Sequence, residues 1–221
     1  MKPMSKVNIK WSSDFAYAIG LIATDGNLSP DGRHISFTSK DKELVDLFLR
    51  SLHISSSIGK KARGGEIEKK YFVVQIGDVL FYKFLVSIGI TPKKSKTINE
   101  VKVPKKYFYD FLRGHFDGDG TFYSYWDKRW KSSFMFYTEF ISSSKKHILW
   151  LQKEIQNQIG IKGHITTSVR SSVYQLKYAK AESLKLIRKM YYDNRVPCLS
   201  RKRDKIMNTL ARVVKLVDTP S

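Results

Sequence analysis

The sequence predicts a mixed α/β (α+β) fold of two pseudo-symmetric αββαββα repeats, each carrying one antiparallel sheet. Three observations predict it. Apolar runs with helical spacing alternate with pairs of short segments in which apolar and polar residues take turns. Blocks of sequence recur at about a hundred residues, the length of a fused pseudo-dimer and not of a solenoid unit: Phe37-Thr38-Ser39-Lys40 with Ser142-Ser143-Ser144-Lys145, Val74-Gln75-Ile76 with Tyr174-Gln175-Leu176, and Lys94-Ser95 with Lys202-Arg203. Two helices, ending Ala18-Ile19-Gly20-Leu21-Ile22-Ala23-Thr24-Asp25-Gly26 and Leu112-Arg113-Gly114-His115-Phe116-Asp117-Gly118-Asp119-Gly120, carry small residues and close on a carboxylate followed by a glycine.

The organisation expected is a basic arm over residues 1–10, a first repeat over 11–98, a second over 99–210 and a tail over 211–221 with no counterpart. Residues 1–10 read as loosely held. Ser12, Ser13 and Asp14 are cap-type residues ahead of the apolar run Phe15 to Thr24, so a helix starts near Ser13. Pro30-Asp31-Gly32 signals a turn, and Arg33 to Thr38 alternates as a half-buried strand with Ile35 and Phe37 inward. Asp41 to Leu52 is an amphipathic helix through Leu44, Leu47, Phe48 and Leu52. A short basic strand ending in Lys61 and Arg63 pairs across Gly64-Gly65 with Lys70 to Ile76. Asp78 caps an apolar helix reaching Ile88.

The second repeat follows the same order. Pro104 is read as the first-turn proline of its leading helix. Thr121 to Trp126 and Phe134 to Ser142 form a hairpin with Phe134, Phe136 and Phe140 on one face and Tyr137 and Glu139 on the other. Lys145 to Ile159 is a helix, Gly163 to Thr167 and Val173 to Tyr178 are strands, and Ala181 to Tyr191 is a helix.

Gly114 and Gly118 lie four apart on one helical face, and Ala16, Gly20 and Thr24 have the same spacing in the first copy. Interior helical glycine costs roughly 1 kcal/mol relative to alanine, so close backbone approach of the two helices is the reason for Gly20, Gly114 and Gly118. Packed side by side, the helices bring Asp25 and Asp119 to one end. Two close carboxylates with only oxygen ligands around them suit Mg²⁺.

Composition narrows the partner. Forty Lys and Arg against twenty Asp and Glu leave a net charge of +20 over 221 residues. Such an excess repels itself unless a polyanion binds, so nucleic acid is the expected partner and an anionic membrane surface the weaker alternative. No stretch has the ~20 apolar residues of a membrane span, and the start has no apolar signal region, so an intracellular protein is expected. The single Cys198 excludes an internal disulfide and a cysteine-based zinc site.

The two glycine-bearing stretches resemble the paired signature helices of the LAGLIDADG homing endonucleases. Gly114, Asp117, Asp119 and Gly120 match closely; Gly20, Leu21, Ile22, Asp25 and Gly26 match the first copy, where Ala23 stands in place of an acidic residue. The resemblance implies a monomeric site-specific endonuclease that cuts both strands of a long asymmetric DNA target and leaves 3′ overhangs. It implies Asp25 and Asp119 as Mg²⁺ ligands, with the carbonyls of Thr24 and Gly118 as backbone ligands, Mn²⁺ able to substitute, and Ca²⁺ supporting binding without efficient cleavage. It further implies Lys94 and Lys202 beside the scissile phosphates and Ser39 and Ser144 as water-ordering side chains. The prokaryotic cytoplasm is the expected compartment, or an organelle if the gene is organellar. Twisted ribbons fit the major groove, and each arm covers about one helical turn, giving a site of roughly 20 bp. Alternation places Ser29, Arg33, His34, Ser36, Lys61, Arg63, Tyr71 and Gln75 on one DNA-binding face, and Tyr123, Tyr125, Arg129, Tyr137, Glu139, Arg170, Gln175 and Lys177 on the other. Two other activities suit the same fold: an intron RNA maturase and a non-cleaving DNA-binding regulator.

Overall fold

The computed structural model describes residues 5–62, 67–129, 133–168 and 172–217. Helix α1 (Ser13–Asp25) starts where Ser12 Oγ accepts the Phe15 N–H at 3.1 Å. Strands β1 (Gly26–Leu28) and β2 (His34–Ser39) follow, then α2 (Lys42–Ser51), β3 (Gly59–Lys61), β4 (Tyr71–Gly77) and α3 (Val79–Ser87). The second unit repeats the plan with α4 (Phe108–Asp119), β5 (Thr121–Trp126), β6 (Phe134–Ser142), α5 (Lys145–Ile159), β7 (His164–Ser168), β8 (Val173–Ala179) and α6 (Lys180–Met190), and adds α7 (Ser200–Val217). Two four-stranded antiparallel sheets result, ordered β1-β2-β4-β3 and β5-β6-β8-β7. In each, the inward side chains pack under helices, as where Phe37 stacks on Phe48 with ring centroids 4.6 Å apart.

Several expectations are corrected. The start of the chain is not loose at residues 6 and 7: both backbone N–H groups donate to Asp78 Oδ2, at 2.6 and 3.0 Å, and Val7 is buried. Asp78 thus does two jobs, because its other oxygen caps α3 through the Phe81 N–H at 2.9 Å. Pro104 does not begin α4. The Tyr107 N–H closes a tighter turn onto the Pro104 carbonyl at 2.9 Å, so a 3₁₀ segment, Lys105–Tyr107, precedes the α-helix. The tail expected over 211–221 is helical as far as residue 217, because α7 continues into it from the end of the second repeat, where Ile206 and Thr209 are buried along one face.

The repeat register also differs from the sequence match. Ser36 pairs with Gln75 and Phe37 with Val74 in the first sheet, while Glu139 pairs with Lys177 and Phe140 with Leu176 in the second. The counterpart of Gln75 is therefore Lys177, and that of Ser39 is Ser142. Both errors are two residues, the side-chain period of a strand, so the matches fell on the right face and the wrong row.

Candidate functional site

The site is built on the seam between α1 and α4. A Cβ added at Gly20 would lie 2.1 Å from the Phe111 carbonyl oxygen, and one at Gly114 would lie 2.0 Å from that of Tyr17. Backbone meets backbone there, and any larger residue would push the helices apart. At the C-terminal end a Cβ on Gly118 would lie 2.0 Å from Thr24 Oγ1 and 3.0 Å from Asp25 Oδ2. The Asp25 carboxylate therefore rests against the residue that immediately precedes Asp119. Among the described residues these two aspartates end the two signature helices side by side.

Beneath each helix end sits a buried lysine. Lys94, on a 3₁₀ turn, donates to the carbonyls of Thr24 at 2.9 Å and Gly26 at 2.6 Å. Lys202, in the first turns of α7, donates to the carbonyls of Phe116, Asp117 and Gly120 at 2.6, 2.9 and 2.6 Å, and reaches that of Gly118 at 3.4 Å. Cations at helix C-termini satisfy carbonyls that have no intrahelical donor and oppose the negative end of the dipole. Burial lowers both amines to about 8, against the pull of Asp25 and Asp119, which favour the charged form of each. Each lysine senses both aspartates, so the four groups form one electrostatic cluster.

That donor set suits a hard cation. Among the described residues no group of three or more His, Cys, Asp or Glu side chains converges. A cation here would take two carboxylates and fill its shell with carbonyls, water and phosphate, the habit of Mg²⁺. The Thr24 and Gly118 carbonyls already accept from lysine, and each retains a second lone pair.

Asp117, two residues before Asp119, is buried, and burial raises its carboxyl to about 6. Its Oδ2 accepts from Tyr17 Oη at 2.7 Å and from the Leu199 N–H at 2.8 Å, which fixes the entry into α7 and hence Lys202. Arg113, also fully buried, donates to the carbonyls of Pro197 at 2.8 Å and Met190 at 2.6 Å and pairs with Asp110 at 2.8 Å. The sequence reading assigned no role to Arg113; Asp110 is one helical turn away, but the two carbonyl partners lie far away in the chain, and only the fold brings them close.

Of the predicted site residues, Ser39 borders a cleft that also holds Asp25, Lys61, Tyr71 and Lys94. Arg201 lines it too and bonds Asp41 at 2.8 Å, and sequence reasoning missed it in a charge-rich run. Ser144 does not share the cleft. It is buried as the N-cap of α5, donating to the Ile98 carbonyl, so its hydroxyl is committed to the protein. On the first sheet Arg33, Lys61 and Gln75 are exposed and Ser36 half-buried on the outward face. His34 contacts the Asp31 carboxylate, Ser29 sits in the turn, and its carbonyl accepts from Tyr82 Oη at 2.7 Å. On the second, Tyr123, Tyr137, Gln175 and Lys177 are half-buried, and Tyr125 and Arg129 are exposed. Glu139, expected to be open, is buried: it accepts from Tyr123 Oη at 2.9 Å and pairs with Lys177 at 2.9 Å. Arg63 and Arg170 lie outside the described residues. No helix among the described residues is long and apolar enough to cross a membrane.

No protein-family model and no curated protein matches this chain. Solved structures do resemble it. Full-length DUF199/WhiA from Thermatoga maritima superposes with a TM-score of 0.55 at 16% identity, over 94% of this chain and 64% of that one. The chain thus spans about two thirds of that protein's length. The homing endonuclease I-DmoI, in its complex with DNA and Ca, gives 0.57 at 15% identity over 88% of this chain and 97% of that one. The LAGLIDADG homing endonuclease I-LtrWI, bound to target DNA, gives 0.53 at 10% identity over 95% of this chain and 98% of that one. At such identities the likeness is one of fold, and the fold of this chain is that of the LAGLIDADG proteins: two antiparallel sheets flanking a seam of paired signature helices.

Proposed function

We propose that this protein is a site-specific DNA endonuclease that acts as a monomer on a long, asymmetric duplex target of roughly 20 bp. One observation carries the reading. Each half delivers a carboxylate, Asp25 or Asp119, to the same end of the helix pair, and each carboxylate has a buried lysine set under its helix end. Structural or regulatory use of the fold does not require both halves to keep that set.

Asp25 and Asp119, with the carbonyls of Thr24 and Gly118, are the residues that would hold Mg²⁺. Bound there, the cation would supply an activated water and stabilise the leaving oxygen on each strand. The protein's own part is positioning. Lys94 and Lys202 hold the carbonyls around the carboxylates in place and keep positive charge close to where phosphate enters. The sheets provide the duplex grip, through Arg33, His34, Ser36, Lys61, Tyr71 and Gln75 on one side and Tyr123, Tyr125, Arg129, Tyr137 and Lys177 on the other. With Asp25 and Asp119 over the central minor groove, the product carries short 3′ overhangs. The net charge of +20 supplies the non-specific attraction. Mn²⁺ is expected to replace Mg²⁺, and Ca²⁺ to allow binding with little cleavage.

The test is cleavage of a randomised DNA library in Mg²⁺ by the natural chain and by Asp119→Asn. Cutting at one class of site by the natural chain alone is the expected result. Tight duplex binding with no cutting by either protein overturns the nuclease reading in favour of a binding protein.

A further inference from the structure

The outward faces of the two sheets are built from different chemistry. In the first sheet Asn27, Ser36 and Gln75 lie in one row across β1, β2 and β4, with Thr38 two residues along β2. Among the described residues none of these four side chains has a hydrogen-bond partner, so their donors and acceptors are open to a ligand. The corresponding row of the second sheet is Thr121, Glu139 and Lys177, and its two charged groups are already used. Glu139 takes both the Tyr123 hydroxyl and the Lys177 ammonium. Thr166 donates to Gln175 Oε1 at 3.1 Å. Arg129 makes a two-toothed pair with Asp127, at 3.1 and 3.0 Å.

What the second face offers instead is apolar. Tyr123, Tyr125 and Tyr137 form a triangular cluster of near-parallel rings, with centroids 5.4 to 6.4 Å apart and planes within 16°. Tyr125 is 44% exposed, and Met135 and Ile141 lie on the same side of β6 as Tyr137. Tyr137 and Tyr125 also engage each other's side chains, which holds the Tyr137 hydroxyl above its ordinary pKa. In the major groove the one apolar feature that tells base pairs apart is the thymine methyl.

We infer that the second sheet recognises its half of the target through thymine C5-methyl groups packed on the Tyr123–Tyr125–Tyr137 cluster, whereas the first sheet reads its half by hydrogen bonds. This rests on the duplex-binding reading above and names the chemistry of its two arms. It makes the two half-sites differ in kind: one specified by donor and acceptor pattern, the other by the placement of thymines.

The experiment is binding, without cleavage. Full-length protein in Ca²⁺ selects duplexes from a randomised pool, and thymines of a selected site are then replaced by deoxyuridine, which lacks only the methyl group, one half at a time. The expected result is weakening of about fourfold per contacted methyl in one half and none in the other. Tyr125→Ser, at an exposed position, should remove that dependence while leaving the other half unchanged. Tyr125→Phe and Tyr137→Phe, which keep the rings, should retain it. Equal sensitivity of both halves, no sensitivity in either, or loss of the effect in Tyr137→Phe overturns the inference while leaving the nuclease reading standing. Failure to select any duplex sequence overturns both.

Discussion

The two halves of this protein share a plan and differ in material. Counting back from the paired aspartates, Ile19 corresponds to Arg113, Leu21 to His115 and Ala23 to Asp117; under the sheets, Leu44 corresponds to His147. All eight are buried. The first half fills these places with hydrocarbon, and the second fills them with groups that must find partners. Partners come from segments that the first half lacks in this form. The 190–199 connection gives Arg113 two carbonyls and Asp117 an N–H. The linker between halves gives His147 Nδ1 the Asn99 carbonyl at 2.6 Å. A carbonyl only accepts, so His147 Nδ1 carries the proton and its Nε2 is the acceptor for His115 Nε2, 3.1 Å away. The fold asks only for volume and a face; polar residues can occupy its core wherever a neighbouring loop completes them.

The sharpest test of the symmetry is at the carboxylates. Asp25→Asn and Asp119→Asn should each slow cleavage roughly 1,000-fold or more, several kcal/mol of metal-derived stabilisation. Strand-resolved gels should show a different strand spared by each variant if the halves act separately. Loss of both strands together would mean that they act as one.

Next comes Arg113. Arg113→Ala leaves Asp110 buried without its cation and frees two carbonyls, and should cost about 3–5 kcal/mol in denaturant unfolding. Ile19→Ala, at the matching place, should cost about 2–5 kcal/mol through a cavity alone. A cost for Arg113→Ala below 1 kcal/mol would mean that the 190–199 connection holds itself.

The histidine pair predicts an acid sensitivity confined to the second half. Burial lowers His147 to about 4 and His115 well below its usual value. A base whose native pKa is depressed contributes stability that is complete above the unfolded value near 6.5 and is lost as pH falls through 4. For His147 the loss amounts to about 3 kcal/mol. The double change His115→Leu with His147→Leu, copying the first half, should flatten stability across that window, read as the unfolding midpoint at successive pH values. An unchanged slope would remove the pair from the account.

The smallest effect compares helix caps. Ser144→Ala removes a cap from α5 and should cost about 1 kcal/mol. Asp41, at the corresponding place on α2, makes no capping bond, and its side chain instead pairs at the surface with Arg201. Asp41→Ala should cost less, within about 1 kcal/mol, measured by thermal unfolding.

Much of the fold is legible in the chain because its signals are local. Alternation in Arg33 to Thr38, the cap at Ser12 and the small-residue stripe of Gly20, Gly114 and Gly118 each lie within a few residues, and the structure has a strand, a helix start and a tight seam there. The two-residue slips in matching the repeats have a local cause as well: a strand's pattern repeats every second residue, so it marks a face and leaves the row open. Helix α7 was missed because its first turn, Arg201-Lys202-Arg203, is almost wholly charged, and its apolar face appears only from Ile206 onward.

What the sequence by itself determined, then, is the order of elements, the faces of the strands and the pairing of two glycine-bearing helices that end in aspartate. Only the tertiary structure decided which charges are structural. Lys94, Lys202, Arg113 and Asp117 look in the chain like surface charge or helix-end charge. They are buried because carbonyls and N–H groups distant in sequence converge on them, and the free energy of burying an ion depends on the number and direction of those partners. The same holds for the open donors of the first sheet and the closed ones of the second, since whether a side chain is free to bind depends on its cross-strand neighbour and not on its own identity.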